Sequence, residues 1–150
     1  MEIFRLDDAG MLLVSGVIDD WAEVERRGVD AIVDMDGDVD PGLPEVPNRI
    51  LYVYFPILDE ELPDLRKLDA LARMVASLVE RGHGVLVHCR MGFNRSNLVA
   101  ATALTYLGVD GESALERIRG IRPGALFNQA FAQHVRGLPA RRLRVEALEG

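Results

Sequence analysis

Four short apolar runs recur along the chain, Met11 to Ser15 (MLLVS), Ala31 to Met35 (AIVDM), Ile50 to Phe55 (ILYVYF) and Val85 to His88 (VLVH), with segments of helical periodicity between them. Runs of this length bounded by turn residues read as buried strands. Asp19 or Asp20 is placed to cap a short helix through Val24 that Gly28 ends. Pro63 and Asp64 open a longer helix, in which Leu65, Leu68, Leu71, Ala72, Val75, Leu78 and Val79 share one face before Gly82 stops it. Beyond the fourth run, Leu98, Ala101 and Leu104 mark a helix ending at Gly108, and another spans about 111 to 119, ahead of Pro123. A last helix carries Phe127, Phe131 and Val135 on one face. Alternating strands and helices predict an α/β domain in three layers, with a largely parallel central sheet flanked by helices.

At 150 residues, 49% hydrophobic and 27% charged, the chain is long enough for one core and is expected to be a single domain over 1–150. Peripheral or loose parts are expected after about Leu138 and across Asp36 to Asn48, which holds three prolines. The formal charge of −7 gives no general attraction to nucleic acid or to anionic membrane, so an anion site must be a local pocket. Nothing at the start resembles a signal peptide and no apolar run has the length of a membrane span. The expectation is a soluble cytoplasmic chain. The single cysteine cannot close an internal disulfide, which fits a reducing compartment and leaves Cys89 free for chemistry.

The segment that carries chemistry is HCRMGFNRS, His88 to Ser96, set between the VLVH strand and a helix. In parallel sheets, ligands sit beyond the carboxyl ends of strands, which is where Cys89 falls. A strand that turns tightly into a helix aims several backbone N–H groups into one concavity, and the helix N-terminus adds partial positive charge. Arg90, Met91, Gly92, Phe93, Asn94 and Arg95 would form this phosphate cradle, with Gly92 bending the backbone closely round the anion. Cys89 would lie at the lip, where the same dipoles favour a nucleophilic thiolate. Arg95 offers a planar fork to two phosphate oxygens. Ser96 offers a hydroxyl to the sulfur, and His88 is expected to orient the loop.

HCRMGFNRS resembles the signature of the cysteine-dependent protein tyrosine and dual-specificity phosphatases, His-Cys, five residues, Arg, then Ser or Thr. A chance match with the glycine also in place is on the order of one in ten thousand for a chain of this length. The resemblance implies a compact dual-specificity-like fold and a hydrolase that needs no cofactor and no metal and forms a phosphocysteine intermediate. It also implies a phosphorylated protein or small phosphate ester as substrate. Members carry an aspartate on a loop upstream of the signature, and FPILDEELPD places Asp59 there as general acid and then base, with Glu60, Glu61 and Asp64 as neighbours. Downstream, RPGALFNQAF resembles the closing segment of these phosphatases. It implies that Arg122 and Asn128 brace the cradle, with Gln129 a lesser candidate for holding water; from the residues alone, Asn128 reads equally as a helix cap.

Arg90 supplies one of the two basic loop positions that phosphoinositide phosphatases of this superfamily often carry, whereas the other holds Phe93. GFNR, Gly92 to Arg95, resembles RNA 5'-triphosphatases instead, against which the acidic balance argues. A phosphate-binding pseudophosphatase is the remaining alternative. The oligomeric state stays open, a monomer being compatible. Asp34, Asp36, Asp38 and Asp40, with Glu45 beyond, have the look of a calcium loop, but Val39 stands where glycine is needed. They are expected to form a solvated acidic turn. Arg136, Arg141, Arg142 and Arg144 are expected to be a solvated basic end, and Trp21, His83 and His134 packing or surface residues.

Overall fold

In the computed structural model, which describes residues 1–143, strand β5 (Gly84–His88) is buried along its whole length. The other strands are ordered around it. β2 (Leu12–Ser15) and β3 (Val29–Asp34) pair with β5 in parallel on either side, and β4 (Leu51–Tyr54) pairs in parallel with β3. β1 (Ile3–Arg5) lies antiparallel on β2, so the sheet runs β1-β2-β5-β3-β4.

Successive side chains on a strand face opposite ways, and the two faces of this sheet feed two cores. Leu12, Val14, Ala31, Val33, Val85 and Val87 pack in the larger core with α2 (Leu65–Glu80), α3 (Arg95–Thr105), α4 (Gly111–Ile121) and α5 (Gln129–Arg136). Leu13, Ile32 and Leu86 face the other way, toward Ile18 and Val24, the latter on α1 (Trp21–Arg26). Three layers result, the second helical layer being one short helix.

Asp20 caps α1 by accepting from the Glu23 N–H. Asp64 caps α2 by accepting from the N–H groups of Arg66 and Lys67, and α2 ends at Gly82, whose φ of +86° is the left-handed conformation that glycine takes without strain. Between these caps α2 buries Leu68, Leu71, Ala72, Val75, Ala76 and Val79. Each large aliphatic side chain removed from water contributes about 1.5–3 kcal/mol. α3 is buried from Ser96 to Thr105, all round rather than along one stripe. Its threonines fit because their hydroxyls bond back to the helix, Thr102 to the Leu98 carbonyl at 2.7 Å and Thr105 to that of Thr102 at 2.6 Å.

Several expectations change. β1 has no counterpart in the sequence reading because three residues on an edge carry no periodic signal. β4 is an edge strand with Leu51 and Tyr54 exposed, not a buried one. Phe127 precedes α5 and is 65% exposed, and α5 buries Phe131, Ala132 and Val135. The segment after Leu138 is docked at Arg141, whose N–H donates to the Thr105 carbonyl at 2.6 Å and whose guanidinium lies 3.9 Å over the Tyr106 ring. Arg144 lies outside the described residues. Among them, no helix is long and apolar enough to cross a membrane.

Candidate active site

β5 delivers His88 and Cys89 to the carboxyl edge of the sheet between β2 and β3, and residues 90–94 turn back into α3. Four consecutive carbonyls of this loop are held from outside. That of Arg90 accepts from the Val17 N–H (3.1 Å) and that of Met91 from the Arg122 guanidinium (3.1 Å). That of Gly92 accepts from the Asn97 side chain (3.1 Å), and that of Phe93 from both Asn97 and the Leu126 N–H (2.9 Å each). The carbonyls are thus turned outward while the Gly92 N–H points inward, at the Cys89 sulfur, the sense that an anion-binding loop requires. Gly92 is required here. Its φ is +71°, and a Cβ would lie 2.8 Å from the Gly16 nitrogen.

The Cys89 sulfur sits on the floor of this loop, 2% exposed, and not at its lip. It accepts from the Gly92 N–H at 3.2 Å and lies 3.3 Å from Ser96 Oγ. Arg95 opens α3 with Nη1 3.4 Å from the Ile57 carbonyl and 3.5 Å from Asp36 Oδ1.

Asn94 stands at the N-cap of α3 but makes no capping bond with its side chain. Instead its Nδ2 donates to Asp59 Oδ2 at 2.9 Å and its Oδ1 accepts from the Asn128 N–H at 3.0 Å. Asn128 completes the bridge by donating to Asp59 Oδ1 and to the Glu60 carbonyl, each at 3.0 Å, while its own oxygen caps α5 at the Phe131 N–H. Cap and brace are thus one residue. The cradle, the Asp59 loop and the start of α5 are tied into a single unit, and the Asn94 side chain does not cap the N–H groups of the first turn of α3. Of the neighbouring acids, Asp64 is engaged as the α2 cap. Gln129 lines a surface pocket with Arg119, Phe127 and Arg136, not the cradle.

The acidic turn is the main correction. Asp34 and Asp40 are buried, and Asp40 Oδ2 lies 2.6 Å from His88 Nε2. The Tyr52 hydroxyl donates to Asp34 and receives the Asp40 N–H at 3.0 Å. Burial pushes the Asp34 carboxyl above the usual carboxylate range, opposed by the Tyr52 hydrogen bond; burial and the Asp34 contact together raise the Tyr52 phenol. This network fixes the end of β5 immediately before Cys89 and pins the middle of the proline-containing 36–48 segment, which was expected to be loose.

Residues 21–138 match the family model of the dual specificity phosphatase catalytic domain. The chain belongs to this family. Protein phosphatase Slingshot homolog 3 of Mus musculus is 33% identical over 122 residues, 76% of this chain and 17% of that protein. Dual specificity protein phosphatase 1B of Arabidopsis thaliana is 31% identical over 90 residues, 59% of this chain and 54% of that protein. The chain therefore spans only a part of these relatives' length. Among solved structures, Tk-PTP in its active form superposes with a TM-score of 0.69 at 28% identity, over 89% of this chain and 92% of that one. DUSP15 does so with 0.75 at 22% identity, over 89% and 85%, a likeness of fold.

As a member of the dual specificity phosphatase catalytic domain family the chain has the five-stranded mixed sheet that the α/β reading anticipated. In it GFNR has structural work. Phe93 stacks under the Arg122 guanidinium at 3.9 Å, and Asn94 holds Asp59. Sequence reasoning missed Asn97, Asp40, Tyr52 and Asp36. Asn97, following directly on RS at the start of a helix, was the one with a signal to find: a buried amide there has the loop carbonyls within reach.

Proposed function

We propose that this single domain hydrolyses phosphate monoesters, of the protein tyrosine and dual-specificity type, through a phosphocysteine intermediate on Cys89. The observation that carries the reading is the inverted loop: carbonyls of residues 90–93 held outward, with the Gly92 N–H directed at the sulfur. A phosphoryl dianion in the cradle would take the inward N–H groups and the Arg95 fork. The Cys89 thiolate attacks phosphorus, the P–O bond to the carrier breaks, and the proton of Asp59 goes to the leaving oxygen. The Asp59 carboxylate then takes a proton from water as that water attacks the phosphocysteine. Inorganic phosphate leaves and the thiolate is regenerated, with the Ser96 hydroxyl, 3.3 Å away, donating to the sulfur as it regains charge. No step in this scheme calls for a metal or a cofactor. A reducing compartment such as the cytoplasm suits a chain whose single cysteine is its nucleophile.

The test is turnover of p-nitrophenyl phosphate and of a phosphotyrosyl peptide by the wild type and by Cys89→Ser. Rapid quench with radiolabelled substrate should trap a labelled protein that is stable to base and lost in Cys89→Ser. Turnover that persists in Cys89→Ser would overturn the reading, and binding of phosphate without turnover in the wild type would favour a pseudophosphatase.

A further inference from the structure

The 36–48 segment puts a carboxylate between the two arginines of the cradle. Asp36 Oδ1 lies 3.5 Å from Arg95 Nη1, and its Oδ2 lies 3.7 Å from Arg90 Nε. The Asp36 main chain is anchored here, because its N–H donates to Asp34 Oδ1 at 2.8 Å and Asp34 belongs to the buried network under β5. Both separations exceed a hydrogen bond, so Asp36 sets the local charge without occupying the Arg95 fork. Its side chain is 19% exposed, as sheltered as that of Arg95 at 16%, so solvent screens the pair less than it would a surface contact.

The segments tied to the loop through Asn94 also expose carbon rather than cations. Leu58 adjoins Asp59, Met91 lies in the loop, and Phe127 stands 6.1 Å from the Phe93 ring; the three are 68%, 64% and 65% exposed. Arg122, the other cation bound to the loop, is held over Phe93 and on the Met91 carbonyl.

Building on the phosphocysteine reading, we propose that Asp36 is a specificity-determining residue that restricts the site to singly phosphorylated carriers with apolar surroundings, such as a monophosphorylated peptide. Its charge offsets that of Arg90 and repels a second phosphate close to the first. The half of a phosphoinositide signature that Arg90 supplies, on a side chain 70% exposed, is thereby weakened. A unit charge about 8 Å from a second phosphoryl group, at an effective dielectric of about 30, changes affinity about tenfold.

The experiment compares wild type, Asp36→Asn and Asp36→Glu on p-nitrophenyl phosphate, on a monophosphotyrosyl peptide with apolar flanks, and on a short-chain phosphatidylinositol bisphosphate. The wild type should prefer the peptide in kcat/KM. In Asp36→Asn the ratio of peptide to bisphosphate should fall about tenfold, through gain on the bisphosphate, and Asp36→Glu should keep the wild-type ratio. The shift should shrink at high salt. An unchanged ratio in an Asp36→Asn protein that still turns over p-nitrophenyl phosphate would overturn the proposal and leave the phosphocysteine reading standing. A wild type that prefers the bisphosphate would overturn it too. Absence of p-nitrophenyl phosphate turnover in the wild type would instead overturn the reading beneath, and the proposal with it. Should Asp36→Asn not fold, wild-type inhibition decides: pyrophosphate binding no tighter than orthophosphate supports the proposal, and pyrophosphate about tenfold tighter overturns it.

Discussion

Replacing Asp59 with asparagine separates the loop anchoring seen in the structure from the proton donation proposed for this residue. Both carboxylate oxygens accept a side-chain amide N–H, Oδ2 from Asn94 at 2.9 Å and Oδ1 from Asn128 at 3.0 Å. An asparagine offers one acceptor and sets its own NH2 against the NH2 of the other partner. One charge-assisted bond is lost and the other becomes neutral. Such bonds contribute about 1.5–3 kcal/mol each when the acceptor is charged and about 0.5–1.5 when it is neutral, so docking of the 57–61 loop should weaken by about 2.5–4.5 kcal/mol. Loss of the proton donor should cost roughly a hundredfold to ten-thousandfold in turnover, about 3–5 kcal/mol in the barrier. Asn128→Ala provides the control. It removes the same docking contact and the α5 cap, worth about 1 kcal/mol, but leaves the donor in place. Turnover is to be measured over a series of aryl phosphates of rising leaving-group pKa. Asp59→Asn should fall further behind the wild type as the leaving group worsens, whereas Asn128→Ala should fall by a constant factor. A deficit in Asp59→Asn that is independent of the leaving group would refute the general-acid role and reduce Asp59 to a loop anchor.

Gly92→Ala should retain the fold yet lose at least a hundredfold in turnover, since a Cβ at φ +71° would meet the Gly16 backbone at 2.8 Å and open the cradle; near-normal turnover would contradict that loop geometry. Tyr52→Phe removes the hydroxyl that opposes the burial shift of Asp34, at about 1–3 kcal/mol of stability near neutral pH. Because the Asp34 carboxyl is raised in the folded protein, the cost of burying it charged is present above its folded pKa and is relieved as pH falls through that value toward the unfolded one. Urea denaturation should therefore show the Tyr52→Phe penalty shrinking on mild acidification, and a penalty that grows would refute the assignment. Alkylation of Cys89 by iodoacetate should abolish turnover, and phosphate or vanadate should protect against it. Mild peroxide should inactivate the protein with no internal disulfide visible by mass spectrometry, because Cys89 is the only cysteine, and thiol should restore only part of the activity as oxidation proceeds.

What lay in the sequence is what depends on neighbours along the chain. The strand runs and the spacing of Leu68, Leu71, Val75 and Val79 are set by backbone periodicity, and caps such as Asp20 and Asp64 act within three residues, so those elements were legible. HCRMGFNRS was legible for the same reason: nine consecutive residues make the loop, and with it the places of Cys89, Gly92, Arg95 and Ser96. The partners that hold this loop come from elsewhere in the chain. Arg122 reaches Met91 across 31 positions, Asn128 reaches Asp59 across 69, and Asp40 reaches His88 across 48. The resemblance indicated that Arg122 and Asn128 would act as braces, but nothing local distinguished a cap from a brace at Asn128. The four aspartates from Asp34 to Asp40 show the limit most plainly. As a sequence they are an acidic turn, and the local rule sends such residues to solvent. Only the parallel pairing of β3 with β5 puts Asp34 and Asp40 beside His88 and Asp36 beside Arg95, because a carboxylate is buried when a partner can satisfy it, and that partner is chosen by the tertiary fold.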